Sequence, residues 1–392
     1  MRTLPNSAIM DAVAEDTLKI GRRLQERVLE PMKAAFVGKA EIIDLLGLCL
    51  AGGENLFILG PPGTAKSALV HYLGRRLEGE TFEYLLTRFT EPNELFGPFD
   101  IRKLRDGVLE TNTEGMLPEA SLVFLDELLN ANSAILNSLL TVLNERVLRR
   151  GRQVHQLPLL TVIGASNHLP EEESLRALFD RFLLRVRSEN VEPASLEKVL
   201  VAGWQLEHEL EIDRDQRGIG VEEIRRLQVA LPSVQMRAVL DVYVTLIGRI
   251  RALGLHLSDR RAVKLQRLVA ASALLCGRDE AMISDLWILR HVWDHEDQQE
   301  LLAALVDETI SEATASEGAE HPRGREHEAP DPEILASDLE YLESVLPEMA
   351  TSGKEGARDR LSLLATRSQW VENQEQRQAL KTRIDALWEA MG

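Results

Sequence analysis

Residues 55–73 read NLFILGPPGTAKSALVHYL, and this stretch fixes the architecture of the N-terminal half of the chain. An apolar run is followed by a loop that carries Gly60 and Gly63, and the loop leads into a helical pattern. A strand, a glycine-bearing loop and a helix N-terminus in this order form the context of a phosphate-binding P-loop. The alternative is a chance glycine-rich turn that contains a lysine. It is disfavoured because both flanking elements are present.

The loop residues have predicted roles in binding a nucleoside triphosphate. Backbone N–H groups of the loop and the positive end of the helix attract phosphate oxygens. Lys66 supplies a cation to the β- and γ-phosphates, and the Ser67 hydroxyl is a ligand of Mg²⁺. Ala65 stands where the usual pattern has glycine, and alanine is tolerated there if its dihedral angles are helical. The predicted contact set is Gly60, Pro61, Pro62, Gly63, Thr64, Ala65, Lys66, Ser67 and Ala68.

A second apolar run ends in two carboxylates, in the sequence LVFLDE at residues 122–127. A buried parallel strand delivers Asp126 and Glu127 to the carboxyl edge of a sheet, where open α/β folds bind ligands. There Asp126 would hold Mg²⁺ through water. Glu127 would be the general base that orients and deprotonates the attacking water. Together with the P-loop, these residues predict a nucleoside triphosphatase that uses Mg²⁺.

The remaining sequence divides into an α/β part and a helical part. Strand patterns occur at residues 55–59, 82–87, 122–125 and 159–165, each short, apolar and bounded by turn residues. From residue 193 to about 310 the strand signals disappear and amphipathic helices follow one another. Residues 311–333 contain no Val, Leu, Ile, Met or aromatic residue and predict a flexible linker. Residues 334–392 return to amphipathic helical patterns.

Composition excludes several classes of protein. The chain has 392 residues, with 45 Lys and Arg against 63 Asp and Glu, which gives a net charge of −18. This acidic balance argues against a non-specific nucleic-acid coat. No apolar run approaches the roughly 18–20 residues that span a bilayer, and no signal peptide is evident, so we expect a cytoplasmic protein. Cys49 and Cys276 lie in apolar helical patterns and are interpreted as core thiols.

Several motifs resemble the MoxR family of AAA+ ATPases, and within it the RavA-type regulatory ATPases. They are GPPGTAKS at 60–67, TEPNELFG at 90–97, GML at 115–117, FLDELLN at 124–130, LLTVLNER at 139–146, GASNHLP at 164–170, ALFDRF at 177–182 and SDRR at 258–261. The resemblance covers about residues 17–300. It implies an AAA+ αβα nucleotide-binding core over residues 1–192 and an all-α lid over 193–310. Composition, and not the resemblance, predicts the linker 311–333. The C-terminal helical segment, 334–392, is too small to be stable alone, so we expect it to pack on the lid.

The resemblance also implies roles for residues outside the two nucleotide motifs. Val37 and Gly38 match the box that contacts adenine. Asn167 matches sensor 1, which positions water near the γ-phosphate, although an asparagine at a strand end is often only a turn cap. Arg181 is similar to the arginine finger that reaches a neighbouring subunit's nucleotide. An ion pair within the chain, with Asp180 or a nearby carboxylate, is the alternative for Arg181.

Sensor 2, the arginine that couples the lid to the phosphates in this family, matches Arg260. Arg261 is adjacent, and the sequence alone does not decide between the two. Residues 95–117 resemble the helix-2 insert of this AAA+ clade. Residues 147–157 resemble its pre-sensor-1 hairpin, and they include most of the one notable basic cluster, formed by Arg146, Arg149, Arg150 and Arg152. In relatives such hairpins face a central pore. The alternative here is a solvated or inter-subunit ion-pairing loop.

These likenesses imply a homo-oligomeric, hexameric ring that remodels a protein partner, with a von Willebrand factor A domain protein as the expected associate. RavA-type proteins carry a β-rich domain after the lid. This chain has only the polar segment 311–333 there, so partners of that domain are not transferred. Two alternatives come from other classes: a nucleotide-switched scaffold with little turnover, and a DNA-remodelling motor. The acidic charge disfavours the motor.

Overall fold

Five parallel strands form the central sheet in the computed structural model of the protein. In spatial order they are β3 (Thr81–Leu85), β4 (Leu122–Asp126), β7 (Thr161–Ser166), β1 (Leu56–Leu59) and β8 (Leu184–Arg187). Two short pairs stand apart from it: β2 (Leu77–Glu78) with β9 (Ile219–Gly220), and β5 (Val147–Arg150) with β6 (Gln153–Gln156). The structure describes residues 7–100, 105, 110–150, 153–170, 172–191, 195–212, 218–313, 321–324, 335–336, 339, 342–343, 361, 364–365, 368 and 374–391.

Helices flank the sheet and dominate the second half of the chain. The helices that precede or connect the strands are α1 (Ser7–Leu24), α2 (Glu30–Ala35), α3 (Ala40–Gly52), α4 (Lys66–Arg76), α5 (Pro92–Phe96), α6 (Ser133–Glu145), α7 (Glu173–Phe179) and α8 (Leu196–Ile212). Those that follow are α9 (Val221–Ala230), α10 (Leu240–Ala252), α11 (Asp259–Leu275), α12 (Gln298–Ala313) and α13 (Gln374–Met391). Among the described helices, none combines the length and apolar character that crossing a bilayer requires.

The four predicted strands are confirmed to within two residues at each end, and so is the antiparallel hairpin of β5 and β6. The fifth strand, β8, was not predicted. Its sequence LRVR places two arginines in four residues, which hides the apolar signal of a buried strand. Arg185 is nevertheless fully buried, because its guanidinium finds hydrogen-bond acceptors on a neighbouring segment.

The parallel direction of the strands gives the sheet two chemically different edges. β1 begins after Asn55, at the amino edge, and ends before Gly60, at the carboxyl edge. The Gly60 N–H donates to Ser166 O at 3.0 Å, and the Ser188 N–H donates to Leu59 O at 2.7 Å. The ends of β7 and β8 therefore lie beside the P-loop. A four-residue strand spans about 13 Å, which separates the two edges.

Two buried arginines and a half-buried aspartate join the helical second half to the sheet. The Asp294 carboxylate pairs with Arg185 on β8 and, at 3.3 Å, with Arg261 on α11. Arg185 also donates to Trp293 O at 2.5 Å and stacks on the Phe179 ring. Burial lowers the pKa of Arg185 to about 10. One hydrophobic cluster continues across this junction from the sheet into α11 and α12, so the two halves share a core.

The predicted linker is anchored in its middle, which corrects that prediction for residues 321–324. Pro322–Gly324 forms a 3₁₀ turn whose Arg323 Nε donates to Asp44 Oδ2 at 2.6 Å on α3. A polar segment can be held without large apolar side chains when buried carboxylates and carbonyls supply the partners. Residues 314–320 and 325–333 lie outside the described residues.

The described residues of the C-terminal segment bury their leucines against one another. They form a cluster separate from the main core, comprising Leu335, Leu339, Leu342, Leu361, Leu364, Leu380, Ile384 and Leu387. Arg383 of α13 adds a bidentate ion pair to Glu343. Because three parts of the segment share this cluster, they can stabilise one another. The packing of the segment on the lid stays a prediction.

The anchored turn should detach in acid because it depends on a neutral histidine. His321 Nδ1 accepts from the Arg323 N–H at 3.1 Å, and the ring stacks on Trp287. Burial lowers the pKa of His321 to about 4, from 6.5. The contribution of this contact is therefore complete above pH 6.5 and is lost as the pH falls towards 4. We expect a change in tryptophan fluorescence over that range. It should be absent in His321→Asn, and an identical transition in this variant would contradict the assignment.

Candidate nucleotide-binding site

The P-loop connects β1 to α4 and wraps its own lysine. Lys66 Nζ donates to Gly60 O at 2.6 Å and to Pro61 O at 2.9 Å, and the ammonium group is buried. Gly63 has φ +83°, which only glycine adopts readily. A Cβ built there would meet no atom within 4 Å, so the loop leaves open space on that side. This arrangement fits a ligand whose phosphate oxygens approach the backbone closely.

Ala65 does not have the helical dihedral angles that were expected. It lies in the left-handed region, with φ 66° and ψ 19°, at the cap of α4. The usual glycine of the motif explains this geometry, because the loop needs a positive φ immediately before the lysine. An alanine in this region costs roughly 1–2 kcal/mol. The substitution is therefore a source of backbone strain at the phosphate site.

A second lysine, Lys39, lies beside the P-loop and is not among the predicted site residues. Lys39 Nζ donates to Ser188 Oγ at 3.2 Å and to Glu189 O, and the Ser188 hydroxyl in turn donates to Thr64 O at 2.9 Å. Burial lowers the pKa of Lys39, although Glu189 opposes that shift. The only signal in the sequence was the position of Lys39 directly after the predicted adenine box.

The predicted adenine box lies next to this lysine. Gly38 has φ +74° and packs so closely on Val191 that a Cβ would approach Val191 Cγ1 to 2.6 Å. The neighbouring Phe36 is buried and makes an edge-to-face contact with Tyr72 of the P-loop helix, at 5.6 Å between ring centroids. Val37 is half-buried in the same turn. Residues 36–39 therefore border the P-loop, as the resemblance implies for an adenine contact.

Asp126 and Glu127 lie at the carboxyl edge, as predicted. Asp126 ends β4, and its Oδ1 accepts from the Glu127 N–H at 2.9 Å. Glu127 has φ 49° and ψ 41°, an uncommon conformation for a residue with a side chain. Such strain occurs at functional sites when the surrounding structure enforces it. Its carboxylate lies 3.4 Å from Asn130 Nδ2, the only hydrogen-bond partner found for it among the described residues.

Asn167 also reaches this edge. It directly follows β7, whose last residue, Ser166, accepts the Gly60 N–H of the P-loop. The Asn167 side chain is exposed, and within the described chain it makes no hydrogen bond that would mark it as a turn cap. The structure thus brings together the P-loop, both acidic residues and Asn167.

Arg181 lies at the opposite, amino edge. Its carbonyl oxygen accepts from Asn55 Nδ2 at 3.0 Å, at the start of β1. Asp180 lies 3.6 Å from Arg185 and is not paired with Arg181. Arg181 Nε is buried and meets no hydrogen-bond partner in the described part of the chain. The alternative role in an ion pair with Asp180 therefore finds no support.

Arg260 lies at the amino edge too, away from the P-loop of its own chain. It is exposed, and its nearest polar partner is Asn144 Oδ1 at 3.5 Å, at the end of α6. Arg261 is buried and committed to Asp294, to His256 O at 3.0 Å and to Val292 O. Arg261 is thus occupied by structural contacts. Neither arginine contacts the P-loop.

The comparisons with known proteins agree with this geometry. Residues 22–229 match the MoxR domain of the MoxR–vWA–β-propeller ternary systems, and residues 241–306 match an AAA lid domain. The chain belongs to the MoxR family of AAA+ ATPases. The matching model is not that of the RavA-type subgroup, which stays a prediction. The lid match begins at residue 241, later than the predicted boundary at 193.

Individual relatives of this MoxR-family chain cover different shares of it. Two uncharacterised proteins of Methanocaldococcus jannaschii are each 36% identical to it, over 274 and 276 residues, or 70% and 72% of their length. Those regions make up 69% and 70% of this chain. The chaperone MoxR1 of Mycobacterium tuberculosis is 26% identical over 165 residues, 41% of this chain and 43% of MoxR1.

A crystal structure from Cytophaga hutchinsonii, described as a candidate ATPase, has the same fold. Its TM-score is 0.60 at 17% identity, and the match covers 77% of this chain and 98% of that one. At this identity the likeness concerns the fold alone. It supports the α/β core followed by a helical lid.

The strain at Ala65 leads to a stability prediction. Ala65→Gly should leave the free energy of unfolding unchanged or raise it by up to about 1 kcal/mol, because relief of the left-handed alanine offsets the entropy of glycine. The matched control is Ala68→Gly, inside α4, which should lower it by about 0.5–1 kcal/mol. Urea unfolding of both variants measures the difference. Equal destabilisation by the two changes would show that Ala65 is not left-handed in solution.

Proposed function

We propose that this MoxR-family protein hydrolyses ATP with Mg²⁺ and remodels a protein partner as a homo-oligomeric, hexameric ring. The observation that carries the proposal is the convergence of the P-loop, Asp126, Glu127 and Asn167 at one edge of the sheet. No other arrangement in the described chain gathers a buried lysine, a glycine-bearing loop before a helix and two adjacent carboxylates at one edge of the sheet.

The residues present fit ATP and Mg²⁺. The loop amides and Lys66 would hold the phosphates, while Ser67 and Asp126 would hold the metal ion, Asp126 through water. Bound Mg²⁺ neutralises the charge that develops on the phosphate oxygens. Glu127 accepts the proton of the attacking water, and Asn167 orients that water by a hydrogen bond. Val37 and Gly38 would contact the adenine.

Two substitutions separate nucleotide binding from hydrolysis. Lys66→Ala should lose ATP affinity, because the phosphates lose their cation. Glu127→Gln should bind ATP normally but hydrolyse it at least about 10²-fold more slowly, the size expected for the loss of a general base. Steady-state phosphate release and titration with a fluorescent ATP analogue measure the two effects. Near-wild-type turnover in Glu127→Gln would exclude this residue as the base.

The position of Arg181 supports the proposed ring. A guanidinium at the amino edge is separated from its own P-loop by the length of β1, so it serves the nucleotide of a neighbour. A head-to-tail contact of this kind closes into a ring when the rotation between subunits allows it. Arg260 lies on the same edge, and we assign it to the same neighbour-facing surface. An added guanidinium is worth on the order of 10³–10⁵ in rate.

Complementation tests the shared site. Arg181→Ala keeps an intact P-loop, and Lys66→Ala keeps an intact arginine, so each alone should be inactive. After mixing and subunit exchange, some interfaces combine an intact P-loop with an intact arginine, and ATPase activity should reappear. The rescued activity should fall on dilution as the ring dissociates. Mixtures that exchange subunits but stay inactive would assign Arg181 a structural role.

The expected partner is a von Willebrand factor A domain (vWA) protein. The matching family model is named for MoxR–vWA–β-propeller systems, which supports a von Willebrand factor A domain protein as the partner. Co-purification with a vWA protein from the same genome, in the presence of Glu127→Gln and ATP, tests this. A nucleotide-switched scaffold is the second candidate function, and measurable turnover in the wild-type protein would exclude it. A DNA-remodelling motor has no specific observation in its favour.

A further inference from the structure

Asn55 is a buried amide at the amino edge that contacts three separate parts of the chain. It directly precedes β1, and only 1% of its surface is exposed. Its Oδ1 accepts from Arg146 Nη2 at 2.8 Å and from the Val162 N–H at 3.3 Å. Its Nδ2 donates to Arg181 O at 3.0 Å.

The chemistry of these contacts requires an asparagine. Two donors converge on one side of the residue and one carbonyl oxygen on the other, so the amide orientation is fixed by its partners. An aspartate could accept from Arg146 and Val162 but could not donate to Arg181. A glutamine would place the amide one methylene too far from the strand. The side chain is therefore matched to the backbone of the Arg181 turn.

Arg146 connects this amide to the β5–β6 hairpin. It ends α6 in a left-handed conformation, with φ 55°, immediately before β5. Its guanidinium turns inward to Asn55 and to Gly53 O at 3.2 Å, and burial lowers its pKa to about 10. Arg146 therefore does not belong to the exposed basic surface of the hairpin. This inward position corrects the predicted basic cluster of Arg146, Arg149, Arg150 and Arg152.

We propose that Asn55 is the positioning residue for Arg181 and that, through Arg146, it links the arginine turn to the root of the hairpin. The Asn55 side chain binds the backbone carbonyl of Arg181 in the turn. Arg185 binds the residues before the turn by donating to Phe179 O at 3.3 Å. The proposal rests on the proposed function, in which Arg181 acts on a neighbour's nucleotide. A turn displaced by about 1 Å loses on the order of 10² in rate.

Asn55→Asp is the diagnostic variant, tested in the complementation assay. It keeps the two accepted bonds and removes the donated one. The double variant of Asn55→Asp with Lys66→Ala supplies the arginine. It should rescue Arg181→Ala about 10- to 100-fold less well than the single variant Lys66→Ala. The double variant of Asn55→Asp with Arg181→Ala supplies the P-loop. Lys66→Ala should rescue it as well as it rescues the single variant Arg181→Ala. A merely structural role would lower both by the same factor, because both variants carry the same change.

Gln228→Glu is the matched control. It also converts a donating amide to a carboxylate and removes a single bond, from Gln228 Nε2 to Leu50 O at 2.8 Å, without touching the Arg181 turn. It should leave rescue unchanged in both roles. If Asn55→Asp does not fold, Arg146→Gln replaces it. This variant frees the Asn55 amide and should impair the arginine-donor role selectively, by a smaller factor.

The outcomes separate this proposal from the one it rests on. If the parent pair, Arg181→Ala with Lys66→Ala, exchanges subunits without rescue, the shared active site fails and the positioning role fails with it. If the parent pair shows rescue and Asn55→Asp donates its arginine as well as the parent does, only the positioning role is overturned. Selective loss in the donor role, with normal nucleotide binding in the same protein, supports it.

Discussion

The parallel direction of β1 is the constraint on which the rest of the structure depends. One strand joins Asn55 to Gly60, and its direction places the P-loop at one edge of the sheet and the buried amide of Asn55 at the other. Because the other strands of the sheet are parallel to β1, Asp126 and Asn167 lie with the P-loop at the carboxyl edge. Arg181 lies with Asn55 at the amino edge. The two edges of the sheet therefore carry different chemical groups because of the strand directions. Side-chain movements within one domain cannot exchange these groups between the edges.

Burial of charge at the junction with the lid depends on the same topology. β8 is an edge strand, and the segment around Asp294 covers it with carbonyl oxygens and a carboxylate. Two guanidiniums share one Asp294 oxygen there, which is tolerable because backbone carbonyls satisfy much of the rest. Removing the carboxylate would deprive both buried guanidiniums of the anion they share and leave Arg185 with Asp180 at 3.6 Å, at a cost of about 3–5 kcal/mol. Arg261 of the lid is therefore committed to contacts in the protein interior.

The sequence predicted the features that local pattern determines. Local pattern predicts the P-loop, the strand that ends at Asp126 and the hairpin, because periodicity and glycine placement act over a few residues. It missed β8, Lys39 and the inward turn of Arg146, because each depends on partners far away in the chain: Asp294, Ser188 and Asn55. It also misjudged Ala65, whose side chain gives no sign of the positive φ that the closed loop imposes. Charged residues whose partners are distant are interpreted from sequence as surface.

A lid joined to the sheet through an aspartate that two buried arginines share should move together with the sheet and not swing as a hinge. Arg185, Asp294 and Arg261 lock the two bodies together, and a continuous apolar core fills the space around them. Opening such a joint would expose both charge and hydrocarbon, so the sheet and the lid of one chain should move as one piece. In the ring we propose, the conformational change that accompanies hydrolysis would then take place at the contacts between protomers. The force delivered to a bound protein would come from neighbours tilting against each other.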